Sequence, residues 1–245
     1  MDALTTAAAS GLQARMDALD MLANNLANTA SSGFKADREF YGTYLAPELA
    51  GESDPIVGES PVVQRQWTDF SQGTLVSTGK PTDLALSGKG FFSVNGPNGP
   101  LYTRNGSFHL NSQGSLVTAE DYPVRLVGNG TLQTQSTDPI QVGRDGQITQ
   151  DGAALGQLDI VNFSDPSQLN KFASTYFTTP DPKSGPDAPS TAEVYQASVE
   201  TSNAQPAEAS ARMISLLRNF EMLQRALKIG ADMNQHAITE VARVS

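Results

Sequence analysis

The chain has 245 residues, of which 38% are hydrophobic and 17% charged, with a net charge of −10 and no cysteine. Such an acidic chain is not expected to bind nucleic acid, because phosphate binding needs clustered lysine and arginine. The missing cysteines exclude disulfide frameworks, thiolate nucleophiles and cysteine-ligated metals.

The first predicted element is an amphipathic helix from about residue 3 to residue 29. Its apolar residues recur at alternating intervals of four and three, which is the spacing of a coiled-coil seam. Repeated alanines add helix propensity. The helix is expected to end near Asn28, with Gly33 as the left-handed residue of the exit turn. The predicted seam, called here the α1 seam, consists of Leu12, Met16, Leu19, Ala23 and Leu26.

The same segment gives no sign of a cleavable signal peptide, because Arg15, Asp17 and Asp20 interrupt its apolar residues. No apolar run approaches the ~20 residues of a membrane span. We therefore expect no membrane insertion, and a chain that either stays in the cytoplasm or leaves by a route that reads no cleaved signal.

The middle of the chain predicts a β-rich domain of short strands. Residues 45–61 are predicted to form a surface loop, and a residue pattern typical of β-strands begins at Val62. Pairs ending in glycine then recur between apolar runs, and such pairs are strong hairpin signals. They are Gln72-Gly73, Asn95-Gly96, Asn98-Gly99, Asn105-Gly106, Gln113-Gly114, Asn129-Gly130, Asp145-Gly146 and Asp151-Gly152.

The last part of the chain is predicted to contain a linker, a strand and a second long helix. Residues 180–191 read as a linker, and a strand is predicted over Val194–Thr201. A long helix should start near Asn203 to Pro206, because proline is tolerated in a first turn. Its predicted seam repeats the spacing of three and four and consists of Met213, Leu216, Phe220, Leu223 and Leu227.

The residues that commonly act in catalysis or bind metals form no recognisable catalytic pattern in the sequence. His109 and His236 are far apart, and neither lies in a metal-ligand spacing. An acidic pair such as Glu120-Asp121 is the kind of group a glycosidase uses, but scattered carboxylates are expected in a chain with 26 of them. We expect no catalytic residue, no cofactor and no metal site.

The two apolar seams predict an assembling protein. Full burial stabilises each Leu, Met or Phe by about 1.5–3 kcal/mol, and a lone helix is only marginal in water. The helices are therefore expected to be poorly ordered in a free subunit and to fold when many subunits meet. The alternative is that they pack as a pair within one chain.

Several motifs resemble those of the bacterial flagellar rod and hook protein family, and the matches extend over nearly the whole chain. The N-terminal signature residues are Asn25, Leu26, Ala27, Asn28, Ser31, Gly33, Phe34 and Lys35, with Ser31 where the family usually has threonine. Further matches are Asp69–Gly73, Asp83–Val94, Tyr102–Phe108, Gly114–Thr118, Val199–Asn203 and Arg218–Met222.

The resemblance implies a structural subunit of the flagellar rod, without enzymatic activity. Its partners would be copies of itself, other rod proteins and the flagellar export apparatus. It would form part of a hollow axial shaft in the periplasm-spanning basal body. This shaft transmits torque and conducts exported subunits. Asn25, Asn28 and Ser31 would cap the first helix, Gly33 would supply the turn, and Phe34 would anchor the next segment.

The implied fold class is α+β, with paired terminal coiled-coil helices flanking a β-rich middle of short strands and hairpins. The length favours a rod protein over a hook protein, and the motif forms favour a proximal over a distal rod protein. An alternative of another class is a periplasmic glycan-binding or glycan-hydrolysing β-domain with oligomerisation helices. The predicted domains are 1–34 (helix), 35–79 (loop and strands), 80–176 (β-rich middle), 177–202 (return linker and strand) and 203–245 (helix).

Overall fold

The computed structural model describes residues 3–45, 59–134, 136, 138–180, 186 and 188–244. Side chains are described from residue 11 onward, except at 40–45, 59–65, 188, 226–227, 231 and 233–244. Most of the loop predicted at 45–61 therefore lies outside the described residues. The fold is α+β, with a helix towards each end of the sequence and strands between them. Backbone packing divides the chain into two compact units.

The first unit comprises Met1–Ala27, Asp37–Trp67 and Gln205–Ser245. It contains both long helices, α1 (Ala3–Ala27) and α2 (Pro206–Val244). The start of α2 at Pro206 confirms the prediction from proline's tolerance of a first turn. Two strands complete the unit and pair with each other, β1 (Asp37–Leu45) and β2 (Glu59–Thr68).

The two helices contact each other through a small apolar cluster. Met21 and Leu22 of α1 are buried together with Ala209 of α2. Met213 and Leu216 of α2 are half-buried and pack against these three residues. Part of the apolar surface of each helix is thus covered within the chain itself.

The second unit comprises Asn28–Ala36 and Thr68–Ala204, so the stretch that follows α1 folds with the strand-rich part of the chain. A 3-10 helix covers Pro166–Gln168. The strands are β3 (Leu75–Ser77), β4 (Leu84–Ser87), β5 (Phe91–Gly96), β6 (Gly99–Thr103), β7 (His109–Leu110), β8 (Leu116–Val117), β9 (Arg125–Leu126), β10 (Gly130–Thr131), β11 (Gln141–Val142), β12 (Gln147–Gln150), β13 (Ala153–Gln157), β14 (Ile160–Asn162), β15 (Asn170–Lys171), β16 (Tyr176–Thr178), β17 (Ala188–Pro189), β18 (Glu193–Gln196) and β19 (Ser198–Glu200).

The largest sheet of this unit has six strands in the order β15-β16-β6-β5-β14-β17. The single strand predicted over Val194–Thr201 is instead two strands. β18 pairs antiparallel with β4, and β19 pairs antiparallel with β3. Ala197, with φ +56°, separates the two, because a left-handed residue interrupts extended pairing.

Two apolar clusters form the core of the second unit. One is mainly aliphatic and includes Leu84, Phe92 and Ile148, all of which are fully buried. The other is aromatic, and its Phe91 and Phe177 rings lie 5.9 Å apart in an edge-on arrangement. Phe70 packs against that second cluster with its centroid 5.1 Å from the Phe177 ring. Such edge-to-face pairs favour a fixed packing of the rings.

The hairpin prediction from glycine pairs holds at most of its positions. Asp151-Gly152, for example, turns between β12 and β13, with positive φ at both residues. Asn95-Gly96, however, lies within β5, and two further pairs are not in hairpins. Gln72-Gly73 and Asn105-Gly106 do not close hairpins. A Cβ on Gly73 would lie 2.0 Å from the Thr201 carbonyl oxygen, and one on Gly106 would lie 1.6 Å from that of Leu84. At these two positions glycine is required because another part of the backbone passes very close.

Candidate assembly helices and a buried charge cluster

The α1 seam does not form the face that α1 buries within its own chain. Met16 is 48% exposed, Ala23 is exposed, and Leu12, Leu19 and Leu26 are half-buried. The buried residues of this helix lie on another face and are mostly small. They are Gly11, Ala14, Ala18, Met21, Leu22 and Asn25.

The predicted seam of α2 begins on the face that packs on α1, where Met213 and Leu216 contact the buried cluster. Met213, Leu216, Phe220 and Leu223 are all half-buried, while the side chain of Leu227 lies outside the described residues. Ala209 continues this face towards the start of the helix and is buried. The intervals between these positions alternate between four and three, as in a coiled-coil seam.

Asn25, near the end of α1, connects the helix to the start of β1. Its side-chain nitrogen donates to the Asp37 carbonyl at 2.7 Å, and its side-chain oxygen accepts from the Asp37 N–H at 3.0 Å. Asn25 is buried, so both bonds are shielded from water. The backbone groups that it satisfies belong to Asp37, beyond the helix. Leu26 is half-buried and Ala27, the last residue of α1, is exposed.

The remaining signature residues form the first segment of the second unit. Ser31 donates through its N–H to the Asn28 carbonyl at 3.2 Å and through its hydroxyl to the Asn28 side-chain oxygen at 3.0 Å. Gly33 has φ +68°, the left-handed conformation expected from the sequence. Phe34 is fully buried, and the Lys171 Nζ lies 4.3 Å from the centre of its ring. This segment is therefore held by both polar and aromatic contacts.

Three donors from distant parts of the second unit converge on the fully buried carboxylate of Glu200. The Lys35 Nζ lies 2.6 Å from Oε1, and the Gly73 N–H donates to the same oxygen at 2.8 Å. The Arg104 Nη1 donates to Oε2 at 3.2 Å. Both cations have further acceptors, since Lys35 donates to the Ser71 carbonyl at 2.7 Å and Arg104 to the Gly88 carbonyl at 2.5 Å. All three charges are thus hydrogen-bonded on several sides, as buried ions must be.

Burial shifts the ionisation of both cations. Removal from water lowers the pKa of Lys35, while the neighbouring Glu200 carboxylate opposes that shift and Arg104 adds to it. Burial likewise lowers the pKa of Arg104, again opposed by Glu200. Glu200 is therefore the group that keeps two desolvated cations in the interior.

Asn203 holds the two ends of the second unit side by side. Its side-chain oxygen accepts from the Ala36 N–H at 2.8 Å, and its backbone N–H donates to the Phe34 carbonyl at 3.3 Å. Its side-chain nitrogen donates to the Asp69 carbonyl at 2.7 Å and to the Ser71 carbonyl at 3.1 Å. The segment after α1, the segment before α2 and the Asp69–Gly73 segment therefore form one hydrogen-bonded junction.

Sequence reasoning did not assign a role to Arg104, Glu200 or Asn203. One signal was available, because Arg104 follows the apolar β6 and Glu200 lies beside Val199 in a short strand. A charged residue that lies next to buried residues is itself carried into the interior, where its charge needs a counter-ion. Which residue supplies it depends on contacts between parts of the chain that are far apart, and no local pattern specifies those.

The acidic pair considered for glycan hydrolysis lies in an exposed turn. Glu120 accepts a hydrogen bond from the Tyr176 hydroxyl. Asp121 has φ +63°, and its carboxylate lies 3.8 Å from the His109 Nε2. This is the environment of a surface turn. Among the described residues, no helix combines the length and the apolar character needed to span a membrane.

Three family models match successive parts of the chain. "Flagella basal body rod protein" matches residues 6–35, "Flagellar hook protein FlgE/F/G D1 domain" matches residues 85–150, and "Flagellar basal body rod FlgEFG protein C-terminal" matches residues 195–240. The first covers α1 and the signature stretch, and the last covers Glu200, Asn203 and most of α2.

Curated relatives match over almost the full length. The chain is 31% identical to the flagellar basal-body rod protein FlgF of Caulobacter vibrioides, with 93% of each chain covered. It is 32% identical to the flagellar basal-body rod protein FlgG of Buchnera aphidicola from Schizaphis graminum, covering 92% of this chain and 95% of the relative. Identity to FlgG of Bacillus subtilis is 27%, with 94% and 95% covered. The chain therefore belongs to the flagellar basal-body rod protein family.

Proposed function

We propose that this chain is a subunit of the axial rod, joined to copies of itself and to other rod proteins through its terminal helices. As part of a hollow shaft it transmits torque and conducts exported subunits. The observation that carries the assembly role is the α1 seam, whose leucines and Met16 lie away from the face that α1 buries in its own chain.

An apolar seam that the chain itself covers only in part supports a repeated contact between subunits. Each Leu or Met that moves from water to a buried position contributes about 1.5–3 kcal/mol. The part of these side chains that is still in water contributes to the driving force, which must exceed the entropy cost of ordering the contact. A rod subunit needs a contact of this kind, since each copy must bind its neighbours repeatedly.

We infer further that α1 and α2 pair as a coiled coil in the assembled rod. The alternating spacing of Ala209, Met213, Leu216, Phe220 and Leu223 on the face towards α1 supports this pairing.

Within the family we propose a role like that of FlgF, a proximal rod protein. The support is the form of two motifs, Asp69–Gly73 and Phe220–Met222, together with the FlgF relative at 31% identity. FlgG is the alternative, since its identity is comparable at 32%. Either role places the chain in the periplasm-spanning basal body, reached through the flagellar export apparatus.

The test is Met16→Asp in a motile bacterium that carries this chain, with basal bodies counted by electron microscopy. Met16 is already half in water, so the new carboxylate should leave the free subunit folded and prevent rod completion. The matched control is Gln13→Asp, which adds the same charge at an exposed position off the seam. Normal rods and motility in the Met16 variant, at normal protein levels, would contradict assembly through this seam.

A further inference from the structure

The strand-rich unit contains four Asn-Gly pairs, and a pair of this kind is able to modify itself. The glycine nitrogen can attack the amide carbon of the asparagine side chain, because glycine has no Cβ to obstruct the approach. The reaction still requires the two atoms to come within about 3–3.5 Å in the right orientation. A fold that holds the asparagine in another geometry therefore protects it. The four asparagines are Asn95, Asn98, Asn105 and Asn129.

The fold restrains three of these asparagines. Asn95 lies within β5, where extended pairing with β6 fixes its backbone. The side-chain oxygen of Asn105 accepts a hydrogen bond from the Ser107 N–H at 3.0 Å. The side-chain oxygen of Asn129 accepts from the Arg125 guanidinium, and its backbone is held at φ +65°. Each of the three must leave its present geometry before it can react.

Asn98 is different, because it is exposed and lacks such a restraint. It lies with Pro97 at the tip of the β5–β6 hairpin, between the paired residues Gly96 and Gly99. Among the residues that the structure describes, its side chain has no hydrogen-bond partner. Gly99 is also exposed, and a Cβ built on it would meet no atom within 4 Å. The two groups that would react therefore have open space around them.

The turn at this tip is of a kind that holds hairpin strands poorly. Two-residue loops favour turns of types I′ and II′, which need positive φ at the first loop residue. That residue is Pro97, whose ring fixes φ at about −65°. Positive φ is found instead at Gly99, at +135°. The last pair of the ladder, Gly96 with Gly99, is therefore the one expected to open most easily.

We propose that Asn98 is a site of spontaneous deamidation, with Gly99 as the nucleophile. The Gly99 backbone nitrogen loses its proton to hydroxide and attacks the Asn98 Cγ, so that a new C–N bond closes a cyclic imide. The bond between Cγ and Nδ2 breaks, and the side-chain nitrogen takes a proton from water and leaves as ammonia. Water then opens the imide at either carbonyl, which leaves aspartate or isoaspartate at this position. The sequence of steps needs no oxidant or reductant.

The product changes the charge of a groove beside the hairpin tip. This groove of about 190 Å³ is lined by uncharged residues, among them Pro97, Pro100 and Phe172, the last of which is 48% exposed. Deamidation places a carboxylate at its edge, and isoaspartate also routes the main chain through Cβ. The core residues Phe91 and Phe92 lie at the other end of β5. The modification should therefore alter this surface and leave the stability of the unit unchanged.

The experiment follows the conversion of each Asn-Gly pair in the purified full-length chain by peptide mass spectrometry. One sample is kept folded in mildly alkaline buffer, and a parallel sample is unfolded in guanidinium chloride. In the folded chain Asn98 should react about tenfold or more faster than the other three, because a restrained site reacts only in its locally opened fraction. In the unfolded chain the four rates should become similar.

The folded and unfolded samples also show what would overturn the proposal. Faster reaction at Asn95, Asn105 or Asn129 in the folded chain would contradict it. So would a rate at Asn98 that folding lowers by more than about tenfold, since the site would then be as protected as an ordinary ladder residue.

The nature of the product tests the role of Gly99. Attack by the Gly99 nitrogen gives both aspartate and isoaspartate, whereas direct hydrolysis of the side-chain amide by water gives aspartate alone. Isoaspartate methyltransferase, which labels isoaspartate only, distinguishes the two routes. Labelling of the peptide that contains residue 98 supports the proposal, and aspartate without isoaspartate overturns it.

Two variants complete the test. Asn98→Gln keeps the amide but would have to close a larger ring, so it should abolish the labelling and unfold at the same temperature as the parent. Asn98→Asp carries the product's charge from the start, and it should also keep the parent's unfolding temperature. A clearly lower unfolding temperature of Asn98→Asp would contradict a change that is confined to the surface.

Discussion

The Lys35 ammonium lies 2.6 Å from the Glu200 carboxylate, although 165 residues separate them in the sequence. Neither side chain has appreciable contact with water. The pair joins the segment just after α1 to the segment just before α2. Because Arg104 and Gly73 donate to the same carboxylate, four chain segments depend on one acidic group.

Glu200→Gln should therefore destabilise the strand-rich unit by about 3–5 kcal/mol. The substitution keeps the shape but leaves two buried cations without a counter-ion, which is the costly way to break a buried pair. Urea unfolding, followed by the near-ultraviolet signal of the buried tyrosines, measures the change.

The matched control is Glu193→Gln, which breaks an exposed pair with Arg144 at 3.1 Å. An exposed ion pair contributes below about 1 kcal/mol, so this variant should unfold almost as the parent does. Similar losses in both variants would mean that the buried cluster adds no more stability than a surface pair.

Gly33→Ala should destabilise the same unit by about 3 kcal/mol or more. A Cβ at this position would lie 2.2 Å from the Asn105 backbone nitrogen, and the residue has φ +68°. The substitution thus combines a left-handed backbone, at about 1–2 kcal/mol, with a steric overlap that forces two segments apart.

Gly79→Ala separates those two costs. Gly79 has φ +75° with no atom within 4 Å of the added Cβ, so it carries the backbone cost alone. Thermal unfolding of both variants should show a clearly larger loss for Gly33→Ala. If the two losses were equal, close packing between the signature segment and the Arg104–Asn105 backbone would contribute nothing measurable.

The stability of the strand-rich unit should pass through a maximum in mildly alkaline solution. Burial raises the pKa of Tyr102 and of Tyr176, with the Glu120 carboxylate adding to the shift at Tyr176. The unfolded chain then loses these protons above pH 10.0 while the folded chain keeps them, so stability falls as the pH rises further. The lowered pKa of Lys35 acts in the opposite direction below pH 10.5, where the unfolded chain binds the extra proton and stability rises with pH.

Tyr102→Phe combined with Tyr176→Phe should flatten the fall above pH 10.0. The free energy of unfolding of parent and variant is measured at several pH values. The difference between them at neutral pH is the part of the cost that does not depend on pH, and it is subtracted before the slopes are compared. An unchanged slope in the double variant would show that other groups cause the alkaline loss.

These residues also show how far the sequence determines the fold. The start of α2 and most turns follow from proline and glycine, because their backbone restrictions are local. The role of Gly73 was mistaken for a hairpin turn, since the carbonyl that it must avoid belongs to Thr201. The role of Glu200 could not be predicted for the same reason. Its hydrogen-bond partners are far away in the sequence and are brought to it only by the fold.

The buried face of α1 was missed for a different reason. Hydrophobicity patterns give most weight to leucine and methionine, and the α1 seam has them. The buried face of α1 includes Ala14 and Ala18, whose small side chains allow a neighbouring element to approach closely. The size of the side chains, and not only their hydrophobicity, therefore determines which face of α1 is buried within the chain.

Leu22→Ala should lower the helix content of the isolated subunit, whereas Met16→Ala should not. Leu22 is buried in the cluster with Met21 and Ala209, so its truncation removes about 2–5 kcal/mol of packing between α1 and α2. Helices of this kind are marginal without a partner, so the loss should appear as weaker far-ultraviolet circular dichroism and faster tryptic cleavage at Arg212 and Arg218. Met16 is 48% exposed and serves as the matched control on the same helix. Equally low helix content in the parent and in both variants would mean that the helices do not pair in the free chain and become ordered only on assembly, which is the alternative that the sequence alone favours.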